Sequence, residues 1–223
     1  MASRRKTPSR ATEAASEGEA RPRSVGQHHG DLQRALREAA LVLVEEGGTD
    51  KLSLRAVARR AGVSPAAPYH HFADKEALLA AVAEEGFVRL GDAITDALAG
   101  ASVEPRERLE TMVATYVRFA VQHPTHYAVM FEPRMEDVER HPALNKAAMA
   151  AFMRLADAVA AVTGDGEHAR HDAAMAWALS HGVVQFASRR MMQQLLDVDA
   201  DDIDAVAART ARSTVRWMTL NER

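Results

Sequence analysis

A single glycine, Gly62, stands between two short runs of helix-forming residues, and no other feature of the sequence narrows the fold so far. Before it, "SLRAVARRA" puts Leu54, Val57, Ala58 and Ala61 on one helical face. Ser53 leads that run, and a serine hydroxyl there accepts a free amide of the first turn. Glycine closes such a helix cheaply, because without a Cβ it enters the left-handed region at no steric cost. After it, "VSPAAPYHHF" supplies Val63 and Phe72 as plugs for a shared core. The small Ala58 lets the two segments approach closely. A helix, a glycine turn and a second short helix form a helix-turn-helix, whose second element is free to enter a DNA major groove.

The two prolines constrain that second element. Ser64 stands at the cap position and Pro65 just after it, where a missing N–H breaks no bond. Pro68 is harder to place, because with Ser64 as cap it removes the first helical hydrogen bond. The expectation is a short recognition helix whose start is delayed or loosened. Ala66 and Ala67 keep its leading edge slim.

Elsewhere the apolar spacing is helical. Asp31 is expected to cap a first helix carrying Leu32, Leu36, Ala39, Ala40 and Leu43, closed by Gly47-Gly48. Asp74 opens a long helix with Leu78, Leu79, Val82, Ala83, Leu90, Ile94 and Leu98 on its stripe. Further helices are expected from Pro105 to His123-Pro124, from Pro142 to "TGDG", from about Glu167 to Leu196, and from Asp201 to about Leu220. "PTHYAVMFEP" reads as a shorter apolar segment between the first two of these. Nothing alternates like a strand, so the fold class is all-α.

Residues 1–26 hold Ser, Pro, Ala, Glu and Arg with almost no large apolar side chain, which predicts a disordered basic tail. Residues 27–74 form the helix-turn-helix domain and 75–223 a larger helical domain. Charge follows the same division: residues 1–75 hold 13 Lys/Arg against 9 Asp/Glu, and the remainder 15 against 22. A polyanion therefore meets the N-terminal end.

From Leu52 to Leu79 the sequence "LSLRAVARRAGVSPAAPYHHFADKEALL" resembles the DNA-binding domain of the TetR family of transcriptional regulators. Val57-Ala58, Ala61-Gly62-Val63-Ser64, Tyr69, His71-Phe72, Lys75 and Leu78-Leu79 stand where that motif wants them, while Pro68 replaces a larger apolar residue. The resemblance implies a DNA-contacting set of Ser53, Arg55, Ser64, Pro65, Ala66, Ala67, Tyr69, His70, His71 and Lys75. Ser53, Arg55, Tyr69 and Lys75 suit phosphates; Pro65, Ala66, Ala67 and His70 suit base edges and thymine methyls. No arginine or glutamine reads a base bidentately here, so sequence choice leans on DNA shape.

"HPTHYAVMFEP" and "AWALSHGVVQFA" are similar to segments of the family's WHG-type C-terminal domain. That likeness implies a homodimer formed through the last two helices, a double-stranded DNA operator of palindromic form, and a small-molecule effector. The candidate ligand-binding residues are Tyr116, Phe119, Tyr127, Met130, Phe131, Met149, Phe152, Met153, Trp177, His181 and Gln185. Rings and thioethers suit an apolar or aromatic effector, although the same residues fill ordinary cores. The function expected is a ligand-responsive regulator, more often a repressor; the alternative is a constitutive or architectural DNA-binding protein with a packed core.

No cysteine is present, which removes disulfides and thiolate chemistry and permits a reducing cytoplasm. The longest uncharged run, Ala173–Ser188, carries Ser180, His181 and Gln185 and falls short of the ~20 apolar residues of a membrane span. "DVDADD" lacks the glycine and closing glutamate of a calcium loop and reads as a helix cap. His123/His126 and His168/His171 have helical spacing but no third ligand. No catalytic constellation appears, and no cofactor is expected.

Overall fold

The computed structural model describes residues 25–132, 139–187 and 202–220. Eight α-helices lie among these residues: α1 (Val25–Gly47), α2 (Leu54–Arg60), α3 (Lys75–Ala99), α4 (Pro105–Gln122), α5 (Pro124–Met130), α6 (Pro142–Thr163), α7 (Ala169–Ala187) and α8 (Ile203–Leu220). No strand occurs among them, and the fold is all-α.

Local chemistry sets most of the helix ends. Ser53 Oγ accepts the Ala56 amide at 3.2 Å, and Asp74 Oδ1 accepts that of Ala77 at 2.8 Å. Asp202 does the same for Ala205 at 3.0 Å, so the end of "DVDADD" caps α8. Pro105, Pro124 and Pro142 each stand in the first turn of their helices. At Gly62 φ is +70°, and the Val63 amide reaches back to the Ala58 carbonyl at 3.0 Å, which satisfies a carbonyl that α2 leaves open. Gly62→Ala is expected to cost about 1 kcal/mol through backbone strain alone, since no neighbour lies within 4 Å of the added methyl. Urea unfolding measures it, and Gly62→Asn should lose less.

Two local expectations need correction. Asp31 does not cap α1, which begins at Val25; no proline interrupts residues 25–30, and extending a formed helix costs far less than starting one. The recognition segment is not an α-helix but a turn followed by a 3₁₀ helix, Ala67–His70. Pro68 is the cause. With no N–H it cannot bond the Ser64 carbonyl, so the Ala67 amide takes that acceptor at 3.0 Å, one residue early. Its ring is fully buried, which anchors the segment.

The head packs α1, α2 and the start of α3 around Leu36, Ala40, Leu52, Val57, Phe72 and Leu78. Helix α3 then runs on into the body, where it meets α4, α5 and α6, and α8 lies along α4. Ion pairs hold the two parts together: Arg37 Nε of α1 donates to Glu85 of α3 at 2.7 Å, and Arg140, just before α6, reaches Glu76 at 2.8 Å. The Met130 sulfur sits where a Cβ on Gly86 would be, so α5 and α3 touch closely.

Candidate DNA interface and effector cavity

The two groups of candidate residues occupy opposite parts of the molecule. In the head, Ser53, Arg55, Ser64, Pro65, Ala66, Tyr69 and His70 are exposed, with Tyr69 at 53%. Ala67, His71 and Lys75 are half-buried, and the Lys75 ammonium donates to the Asp50 carbonyl at 3.3 Å. Ser53 accepts a bond as a cap, yet its own O–H remains a donor for a phosphate. Arg60 is paired with Glu46 at 2.7 Å, whereas Arg59 is exposed. The slim Pro65-Ala66 edge therefore faces outward between polar flanks, the arrangement in which a segment can enter a groove.

In the body, α3, α4, α6 and α7 line an apolar cavity of about 40 Å³ whose walls include Phe87, Leu90, Ile94, Met112, Tyr116, Phe152, Trp177 and Ser180. Its wall continues into an aromatic cluster. Phe131 packs edge-on to Trp177 at 5.9 Å and to His181 at 4.8 Å, and Phe152 stacks on Trp177 at 5.7 Å.

A polar chain runs through this cluster. The Trp177 indole N–H donates to the Tyr116 oxygen at 3.1 Å, the Tyr116 and Tyr127 hydroxyls are 3.0 Å apart, and Tyr127 reaches His181 Nδ1 at 2.5 Å. Burial lowers the His181 pKa, which favours the neutral ring, and Nδ1 accepts from Tyr127 in the tautomer that carries its proton on Nε2. In that tautomer the donors run one way, from Trp177 to Tyr116, Tyr116 to Tyr127 and Tyr127 to His181. Burial also pushes Tyr127 up to about 12 and Tyr116 higher still, so both hydroxyls keep their protons.

His126, on α5 beside Tyr127, is likewise held below its ordinary value of 6.5, by burial first and by Arg89, with Glu85 opposing. A group whose folded pKa is depressed takes up protons preferentially in the unfolded chain. Its contribution to stability is present above pH 6.5 and is lost as the pH falls toward the folded value. The urea midpoint should therefore drop between pH 7.5 and 5, and less steeply in His126→Asn and His181→Asn proteins. A flat midpoint in the parent would contradict the assignment.

The remaining candidates lie elsewhere. Phe119 is buried but packs on His123 at 4.8 Å, and Met130 is buried against Gly86. Met149 is 52% exposed and shares an outward groove with Met153. Gln185 is half-buried on α7, a turn beyond His181. Sequence reasoning did not assign Phe87, Leu90, Ile94, Met112 or Ser180 to the cavity. Leu90 and Ile94 belong to a stripe that looks like uninterrupted core, and nothing in its spacing marks where α3 leaves the head and begins to wall a void. Among the described residues no group of three His, Asp or Glu could hold a metal ion, and no helix is long and apolar enough to cross a membrane.

A presented helix-turn-helix on an all-helical body defines a DNA-binding transcriptional regulator, a class distinct from enzymes. The family of bacterial regulatory proteins of the tetR type matches residues 36–82, and the tetracyclin repressor-like C-terminal domain matches residues 109–214. The chain belongs to the TetR family. It is 29% identical over 184 residues to the transcriptional repressor KstR of Mycolicibacterium smegmatis, covering 82% of this chain and 80% of that one. It is 36% identical over 86 residues to the transcriptional regulator BetI of Rhizobium meliloti, a match spanning 39% of this chain and only 42% of that protein's length. In fold it resembles a protein with unknown function from Rhodococcus sp. RHA1, with TM-score 0.71, 32% identity, and 87% and 98% of the two chains covered. The fatty acid degradation regulator FadR of Bacillus halodurans shares the fold at TM-score 0.66 and 17% identity, covering 82% of this chain and 94% of that one.

Proposed function

We propose that the protein is a homodimeric repressor that leaves a palindromic operator when a small apolar or aromatic effector enters the α3/α4/α6/α7 cavity. One observation carries this reading: the cavity's wall is built partly from α3, the same helix whose first turns pack against α1 in the core of the head. Phe87, Leu90 and Ile94 face the void, while Leu78 and Leu79 sit in the core a few turns earlier. A void of about 40 Å³ has room for little more than water, whereas organic ligands occupy ~300 Å³ or more. The protein as described is then the closed, DNA-competent conformation. An effector that prefers an opened cavity must displace α3, and with it the head, in proportion to its differential affinity for the two states.

Tyr127, Phe131, Trp177 and His181-Gly182 support a WHG-type body, with the Trp177–Tyr116–Tyr127–His181 chain as the polar anchor for the ligand. In the head, the ten residues Ser53, Arg55, Ser64 to Ala67, Tyr69 to His71 and Lys75 contact DNA, with Pro65, the two alanines and His70 at base edges and Ser53, Arg55, Tyr69 and Lys75 at phosphates. A twofold dimer places two such heads about one DNA turn apart, which calls for a roughly palindromic site. The test is a footprint on the DNA upstream of the protein's own gene, repeated with a panel of apolar and aromatic compounds. Protection that some compounds abolish, together with a raised melting temperature, is the expected result. Protection that no compound disturbs would favour a constitutive DNA-binding protein with a packed core.

A further inference from the structure

Ile94 and Met112 of the inner cavity have a second side. Both side chains also wall an outer groove of about 370 Å³ between α3, α4 and α6, which Thr95, Leu98, Ala99, Arg108 and Arg154 complete. The two spaces thus meet at a shared pair of apolar side chains. The inner one is narrow and lined by aromatics; the outer one is wider and carries two cations.

Seven arginines of the described residues are ion-paired and these two are not. Arg37, Arg60, Arg118 and Arg140 are each bound to a carboxylate. Arg108 and Arg154 form no ion pair with any described carboxylate. Arg154 donates instead to the Gly91 carbonyl at 3.1 Å and lies 3.4 Å from Thr95 Oγ1, both neutral acceptors. It lies across α3 at Gly91, where an added Cβ would stand 3.2 Å from its Nη1. Two arginines from α4 and α6 therefore line the outer groove, neither paired with a described carboxylate, with Ile94 and Met112 standing between that groove and the inner cavity.

We propose that the effector is an anionic amphiphile, its head held by Arg108 and Arg154 and its apolar body passing between Ile94 and Met112 toward Trp177. This rests on the effector reading above and narrows it to a chemical class. Guanidinium groups bind carboxylate and phosphate alike through paired hydrogen bonds, so either head fits, and an uncharged end leaves both arginines unused. The flexible Met112 side chain can swing aside where a branched residue would block the way.

Calorimetric titration of the full chain with decanoate, decyl phosphate and 1-decanol tests the idea. At least one anion should bind about tenfold or more tighter than decanol, the gap that one charge-assisted contact produces. Which anion binds more tightly then identifies the head group. Arg108→Gln combined with Arg154→Gln should remove that advantage while leaving decanol affinity, melting temperature and DNA binding unchanged. Arg108→Lys with Arg154→Lys should restore part of it. Equal binding of decanol and both anions, no dependence on the arginines, or no binding of any of the three overturns the proposal. If an uncharged apolar compound still releases DNA in those cases, the effector reading stands without it.

Discussion

Leu179→Glu combined with Phe186→Glu is expected to turn the protein into a monomer and to weaken operator binding by about 100-fold or more. The reason lies on the outer face of α7. Met175, Leu179 and Phe186 recur at spacings of four and seven, which keeps them on one side of the helix, and they are 39%, 43% and 44% exposed. Trp217 adds an exposed ring on α8. The inward side of the same helix carries Ala173, Ala176, Ser180 and Val184, all buried. A helix apolar on both sides needs a second surface to cover it, and a twofold copy of itself satisfies that need without exposing an edge. Two glutamates at the centre of that contact carry their desolvation cost twice, once from each protomer. Neither position is in the protein's own core, so circular dichroism should remain helical while sedimentation reports half the mass. A variant that stays dimeric would place the assembly surface elsewhere.

Ala66→Glu is expected to abolish sequence-specific DNA binding, again by about 100-fold or more, without loss of stability. Ala66 is exposed at the tip of the recognition segment, so the new carboxylate lies in water in the free protein. In the complex it would stand among base edges and phosphates, and a like charge brought to such a contact costs several kcal/mol, where ~2.7 kcal/mol already corresponds to 100-fold. Ala66→Ser at the same site should keep most of the affinity. Electrophoretic mobility shifts on the footprinted DNA, with melting temperature as the folding control, separate the two effects. Unchanged affinity in the glutamate protein would mean that the segment does not approach the duplex.

The effector-side residues show where sequence patterning stops being informative. Phe152 and Met153 are neighbours on α6, yet Phe152 stacks on Trp177 while Met153 lines an outward groove with Met149. Helical spacing identifies a buried stripe; it says nothing of which helix lies over which part of it. The same gap hides Arg108 and Arg154, which read as two more charges on solvated faces until α3, α4 and α6 are packed together.

What the amino-acid order determined by itself was local. Ser53, Asp74, Gly62 and the three helix-starting prolines act through atoms a few residues away, so their effect is written in the chain and needs no partner. Pro68 belongs with them in part: its missing N–H was legible, but whether the first turn would start late or tighten into a 3₁₀ helix was settled only when its ring was buried in the head. The tertiary structure alone decided the apolar cavity, the polar chain from Trp177 to His181 and the meeting of Arg108 and Arg154 in one groove. Each depends on residues from three or four helices, and distances between helices are fixed by packing, which no one-dimensional period encodes.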